Sequence, residues 1–225
     1  PANFSHASPD RLAALRTGQP REAIFFAGNQ KPKYGDAKMK RNFGVLSRLE
    51  ILSTLADRFA TRVGSSISSG PDESAEGAGG ERSIVLCDSR VEKIRSSDWL
   101  PTLAKAQFFI CCPGSGQPVC HNLVEAMSVG TIPIIEYGDR MTPELRDGVN
   151  AICFRGRDGL INAIHRIDRL SREQVATLSQ NASRHYDEHL CVTKFITGLR
   201  DGQFDLSLSR VCMPFHERNF YQPDR

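Results

Sequence analysis

The run Phe108, Phe109, Ile110, Cys111, Cys112 constrains the fold more than any other stretch of the chain. Side chains alternate between the two sides of a strand, so an apolar run without alternation must keep both sides out of water. Such a strand lies central in a sheet covered on both faces. Pro113, Gly114, Ser115 and Gly116 follow it, and then apolar residues at helical spacing: Val119, Leu123, Ala126, Met127 and Gly130. A strand, a glycine loop and a helix make up most of a βαβ unit, whose ligands sit at the carboxyl ends of the strands.

The rest of the chain repeats the alternation. Residues 23–27 read as a strand ending at Gly28-Asn29, 45–59 as a helix, and 84–87 as a strand. Residues 98–106 read as a helix with Ser97 or Asp98 as its cap, and 118–129 as one with Pro118 near its first turn and Gly130 as its stop. Residues 131–135 form the next strand, which Pro133 demotes toward a sheet edge or a bulge because it lacks a backbone donor. A turn over 147–150 leads into a strand at 151–154; from 158 to 204 the pattern is helical, broken at Ser171, which opens a capping box with Gln174. The expected fold is a Rossmann-like, doubly wound parallel α/β sheet over 23–204, with 1–22 as an N-terminal arm or interdomain linker and 205–225 as a tail. Residues 64–83, rich in Gly, Ser and Glu, are expected to form a flexible loop.

Composition excludes several classes. With 40% hydrophobic and 24% charged residues the chain is neither disordered nor membrane-spanning, and a net charge of +3 without a basic block gives no nucleic-acid footprint. Seven cysteines without paired spacing read as core packing in a reducing compartment. A cytoplasmic protein is expected, with membrane association through a region outside this chain as the alternative and the Golgi lumen disfavoured. The chain opens on Pro1 without a signal segment, as a fragment or processed form does.

The chemistry is concentrated after the central strand. Gly114 and Gly116 let backbone N–H groups approach an anion, and the following helix N-terminus adds roughly half a positive charge, a cradle for a diphosphate. Helical geometry puts Val119, Leu123, Ala126, Met127 and Gly130 on a packing face and His121, Glu125 and Ser128 on a face toward the cleft. A carboxylate repels phosphate but accepts hydrogen bonds from a vicinal diol, which suits Glu125 to a ribose or sugar ring.

The segment PG, HNLVEAM, GTIPII resembles the donor site of GT-B-fold glycosyltransferases, the exostosin-like group in particular, and a weaker resemblance runs from about Ile24 to about Leu190. The resemblance implies a donor-binding C-terminal half that transfers a sugar from a nucleoside-diphosphate sugar to an acceptor hydroxyl on a glycan or other molecule. It implies a second, N-terminal domain for the acceptor, no metal and no further cofactor. By residue it implies diphosphate contacts from Gly114, Ser115 and Gly116, ribose contacts from Glu125 and basic support from Lys31, Lys33 and Arg48; His121 and Asn122, candidate donor contacts by position, stand where exostosin-like members tend to carry Ser and Arg. His121 is the one candidate for a catalytic part, since imidazole titrates near neutral pH. Many relatives carry an acid eight positions before Glu125, where this chain has Gln117, and the stereochemical outcome stays open. The rival class is a nucleotide-binding module without turnover.

Two other signals compete. His185, Glu188 and His189 match an inverted zinc-protease pattern, but a third ligand is needed and the segment reads as the end of a packing helix. Cys120 and His121 are adjacent on a helix, so they point about 100° apart and do not form a nucleophile and base. The chain contains no D-x-D, which disfavours a metal-dependent transferase.

Overall fold

The computed structural model describes residues 8–17, 22–65 and 81–204. In chain order it runs α1 (Pro9–Thr17), β1 (Glu22–Gly28), a 3-10 turn (Pro32–Gly35), α2 (Lys38–Phe43), α3 (Arg48–Arg58), β2 (Val63–Gly64), β3 (Ile84–Asp88), α4 (Ser96–Lys105) and β4 (Ala106–Ile110). It continues with α5 (His121–Ser128), β5 (Ile132–Ile135), β6 (Ile152–Cys153), α6 (Gly156–Asp168), α7 (Arg172–His185), a π turn (Tyr186–Leu190) and α8 (Val192–Arg200). The strands lie in the order β2-β3-β1-β4-β5-β6, and every pair is parallel. This is the Rossmann-like, doubly wound sheet that the alternation implies.

Both faces of the sheet are dry, which is why its central strands lack alternation. Phe25, Ala27, Phe109 and Cys111 pack on α4 and α5 in one core, while Ile24, Phe26, Phe108 and Ile110 pack on α3 and α6 in the other. A partly buried network ties the amino edge of the sheet: Arg62 donates to both Asp168 oxygens at 2.9 and 2.8 Å, and Arg82 Nε donates to Gln107 Oε1 at 2.6 Å.

Several boundaries differ from the sequence reading. α3 begins at Arg48, because Ser47 and Glu50 form a reciprocal capping box, and Val45 and Leu46 are buried ahead of it. The basic loop before it holds the 3-10 turn and α2, anchored by buried Met39. α4 is capped by Arg95, not by Ser97 or Asp98; the Asp98 carboxylate accepts from Arg95 Nε at 2.6 Å. α5 begins at His121, three residues beyond Pro118, because Gly114 N–H donates to Gln117 O at 3.0 Å and keeps the chain in a tight turn.

Pro133 is not at an edge, since β5 lies between β4 and β6. Cys111 N–H donates to Ile134 O on the β4 side and Phe154 N–H to Ile135 O on the β6 side. By alternation Pro133 faces the β6 side, ahead of that strand's first residue, Ile152, so no ladder bond is lost.

The N-terminal arm contains a helix. In α1, Leu12 is buried, Arg16 Nε donates to Ser128 O at 2.9 Å, and the same guanidinium grips Asp187 at 2.7 and 2.8 Å. Pro101 inside α4 removes the N–H that would bond Ser97 O, and Arg11 Nη2 reaches that carbonyl instead at 3.3 Å. Of the expected flexible loop, residues 66–80 lie outside the described residues, as does the tail 205–225, while Gly64 at its start belongs to β2. No helix among the described residues is long and apolar enough to cross a membrane.

His185 ends α7 with 7% exposure, its Nδ1 3.2 Å from Asn150 Nδ2 and its Nε2 without a partner. His189 lies with its ring centroid 5.0 Å away and its Nε2 3.6 Å from Glu188. Among the described residues no group of three metal-ligating side chains converges. Burial, and then His189, lower the His185 pKa against the opposing charge of Glu188. The unfolded chain therefore takes up the proton first, and stability should fall as pH drops below the unfolded histidine value of about 6.5. Urea midpoints between pH 7.5 and 5 should show this loss, reduced in His185→Gln; an unchanged slope would place the titration elsewhere.

Candidate functional site

β1 and β4 are neighbours, but the chain leaves β1 toward α3 on one face and β4 toward α5 on the other. Their carboxyl ends therefore part and leave a crevice at the switch point of the sheet. Asn29 stands on one side and the loop over 113–117 on the other.

Arg48, on the first turn of α3, lies beneath this crevice. It is 6% exposed; Nη1 donates to Asn29 O at 2.8 Å and Nη2 to Pro113 O at 3.1 Å, so one guanidinium joins the ends of both strands. The rings of Tyr34 and Phe26 lie 4.0 and 5.7 Å from its central carbon. Among the described residues no carboxylate pairs with it, and its Nε has no hydrogen-bond partner. A buried cation held only by carbonyls and ring faces leaves its charge unneutralised. Its influence reaches the surrounding groups: burial pushes the Cys112 thiol up to about 12 and raises that of Cys120, with the Arg48 charge pulling both back. Neither thiol is a ready nucleophile. The Arg48 side chain is thus enclosed by the backbone carbonyls that it braces, with its charge next to the crevice.

Gly114, Ser115 and Gly116 are half-buried at the rim. A Cβ at Gly114 would come within 2.9 Å of Gln117 O, so the turn needs glycine there. α5 begins behind the loop with Cys120 at its cap position and no side-chain hydrogen bond to its first turn. The positive end of its dipole therefore faces the crevice without an internal acid to offset it. Asn122 Nδ2 reaches Ala27 O at 3.4 Å and ties this turn to β1. His121 is exposed, its Nδ1 4.0 Å from Cys120 Sγ, and its pKa is lowered, first by partial desolvation and then by nearby positive charge that includes Arg48. Lys31 and Lys33 are exposed beyond β1, where Lys31 N–H donates to Asn29 Oδ1 at 2.9 Å.

Glu125 is not on an open face. It is 3% exposed and accepts from Trp99 Nε1 at 2.6 Å, and Ser128 is buried as well. α5 is covered on this side too, by α4 and by the π turn after α7, so its polar stripe packs rather than lining an open cleft.

The sequence reading passed over two residues. Trp99 carries no signal in its neighbourhood. Glu136 does: it is an acid directly after the apolar strand β5, at the edge where ligands bind. It is 4% exposed and accepts from Leu46 N–H at 2.6 Å and Gly156 N–H at 2.7 Å, joining the approach to α3 with the start of α6. Glu136 also borders a cavity of about 690 Å³ between β5, β6 and α6. Two ion pairs lie there, Asp147 with Arg166 at 2.7 Å and Asp139 with Arg155 at 3.2 Å, and Glu144 and Arg146 line it as well.

No protein-family model matches the chain, and no curated protein matches it. Among solved structures it is similar to HepE of Anabaena in complex with UDP and glucose, at 17% identity and a TM-score of 0.48 over 87% of this chain and 52% of that one. It is similar to a mutant of TarM from S. aureus in complex with ligands that include UDP, at 13% identity and a TM-score of 0.48 over 83% of this chain and 36% of the other. The catalytic domain of starch synthase IV from Arabidopsis thaliana, bound to ADP and acarbose, gives 15% identity and a TM-score of 0.46 over 85% and 41%. The chain thus spans about half, or less, of the length of these proteins.

Proposed function

We propose that the chain is the donor-binding half of a two-domain glycosyltransferase of the GT-B kind, holding a nucleoside-diphosphate sugar in the crevice between β1 and β4. One observation carries this reading: a buried, unneutralised Arg48 beneath a glycine loop and a helix N-terminus without a side-chain cap. Fixed backbone dipoles and a desolvated cation aimed at one point favour a multiply charged anion and cost no reorganisation. A nucleoside diphosphate is such an anion, and as leaving group its developing charge would be met by the same groups. Attack by an acceptor hydroxyl on the anomeric carbon would need a facing domain, from which the catalytic base would also come. The cradle relies on helix and arginine charge, so diphosphate binding is expected without a divalent metal. The resemblance of the HNLVEAM segment to exostosin-like enzymes supports the same reading.

Calorimetric titration with UDP, ADP and their monophosphates tests it. The diphosphate of the preferred base should bind at least about tenfold more tightly than its monophosphate, since charge-assisted contacts contribute about 1.5–3 kcal/mol each. In Gly114→Ala the added methyl would push the loop from Gln117 O, and that preference should shrink toward unity while the melting temperature moves little. Equal binding of monophosphate and diphosphate by the unaltered chain would remove the cradle from the crevice.

A further inference from the structure

The 3-10 turn between β1 and α2 packs on the helix that carries Arg48. Pro32 opens it, Tyr34 N–H closes it on Lys31 O at 3.0 Å, and a Cβ at Gly35 would come within 2.9 Å of the Leu49 side chain, so the turn lies directly on the first turn of α3. That contact lays the half-buried Tyr34 ring over the Arg48 guanidinium, 4.0 Å from its central carbon. Lys33 Nζ is 5.2 Å from the centre of the same ring. The acids nearest to these cations in the sequence are engaged elsewhere, Asp36 with Lys38 at 3.8 Å and Glu50 with Arg157 at 3.7 Å, and neither Lys33 nor Arg48 has a carboxylate partner among the described residues. One ring therefore serves two cations. Neighbouring like charges repel, and the negative face of an aromatic ring offsets that repulsion while leaving each charge in place. A carboxylate at this position would hold both cations and cancel them.

We propose that Tyr34 is a positioning residue of the crevice, an inference that rests on the nucleotide reading above. Its ring face keeps the Arg48 guanidinium in the brace between Asn29 O and Pro113 O and holds the Lys33 ammonium beside it, so that both charges stay available to an anion. The face of the ring carries this role, and the phenolic hydroxyl takes no part in it.

UDP and ADP are titrated by calorimetry into the full chain, Tyr34→Phe and Tyr34→Leu, each with and without Lys33→Met. The His121 ring is titrated by NMR in the three proteins with Lys33 intact, without ligand. Phenylalanine keeps the ring face, whereas leucine keeps apolar bulk without one. Affinity for the nucleoside diphosphate should stay within about twofold in Tyr34→Phe and fall about fivefold in Tyr34→Leu. Lys33→Met should cost about threefold beside Tyr34 and almost nothing beside leucine, where the ammonium is no longer held. The His121 pKa, which the Arg48 charge helps to lower, should rise in Tyr34→Leu, where water reaches and screens the guanidinium, and stay put in Tyr34→Phe. A role in folding alone would lower the melting temperature and leave these readings where they were. Unchanged affinity in Tyr34→Leu, an equal loss in Tyr34→Phe, or an equal cost of Lys33→Met in both backgrounds overturns the positioning role and leaves the nucleotide site standing. Absence of binding by both UDP and ADP removes the nucleotide site; the His121 titration then decides whether the ring holds Arg48, and an unchanged value in Tyr34→Leu overturns that too. Should Tyr34→Leu fail to fold, Tyr34→Met takes its place.

Discussion

Changing Arg48 to methionine is expected to lower nucleoside-diphosphate affinity by about one and a half to two decades while the sheet stays folded. A unit charge roughly 5–8 Å from a phosphate at an effective dielectric near 20 contributes about 2–3 kcal/mol, which sets that range. Two effects on stability oppose each other. Methionine abandons the carbonyls of Asn29 and Pro113, but it also removes a desolvated cation that no carboxylate offsets. The net change in stability should therefore be much smaller than the change in binding. Arg48→Lys keeps the charge but cannot span both carbonyls, and it should fall between the two. Calorimetry and thermal melting on the three proteins measure both quantities. A loss of stability with unchanged affinity would reduce Arg48 to a brace.

Glu136→Ala should give the larger loss of stability. Its two oxygens take the N–H groups of buried Leu46 and half-buried Gly156, and alanine removes the partner of both donors. At about 1–3 kcal/mol each, the cost is about 2–6 kcal/mol, or on the order of 10 °C in melting temperature for a domain of this size. Leu46 directly precedes the capping residue Ser47, so loosening it also frees the turn that aims Arg48, and affinity should fall in parallel. Glu136→Gln retains one acceptor and should show about half the effect. A melting temperature within a degree of the unaltered protein in Glu136→Ala would mean that water replaces the carboxylate at no cost.

The strands were legible because hydrophobicity on both faces admits one explanation, a sheet covered on both sides, and residues 23–27 and 108–110 lie in β1 and β4, with Cys111 and Cys112 buried just past the end of β4. The capping box at Ser171 and the stop at Gly130, whose φ is +75°, were legible for the same reason, since each is a local rule. Tertiary contacts were not. Pro133 looked like an edge residue because its missing donor was visible in the sequence, while the late start of β6 that makes it harmless was not. Helical periodicity gave α5 one apolar face, and nothing in that pattern showed that Trp99 from another helix covers the other. Arg48 was legible as a basic residue beyond β1, but not as a buried one, because its burial depends on two carbonyls 65 and 19 residues away.

Hydrogen exchange with and without the nucleoside diphosphate tests most directly whether the ligand sits between β1 and β4. Protection should appear in peptides covering residues 112–123 and 29–48, where the loop, the start of α5 and the Arg48 brace meet, and leave residues 138–166 unchanged. Protection confined to 138–166, around the cavity beside β6, or spread evenly over the domain, would contradict a donor site in the crevice.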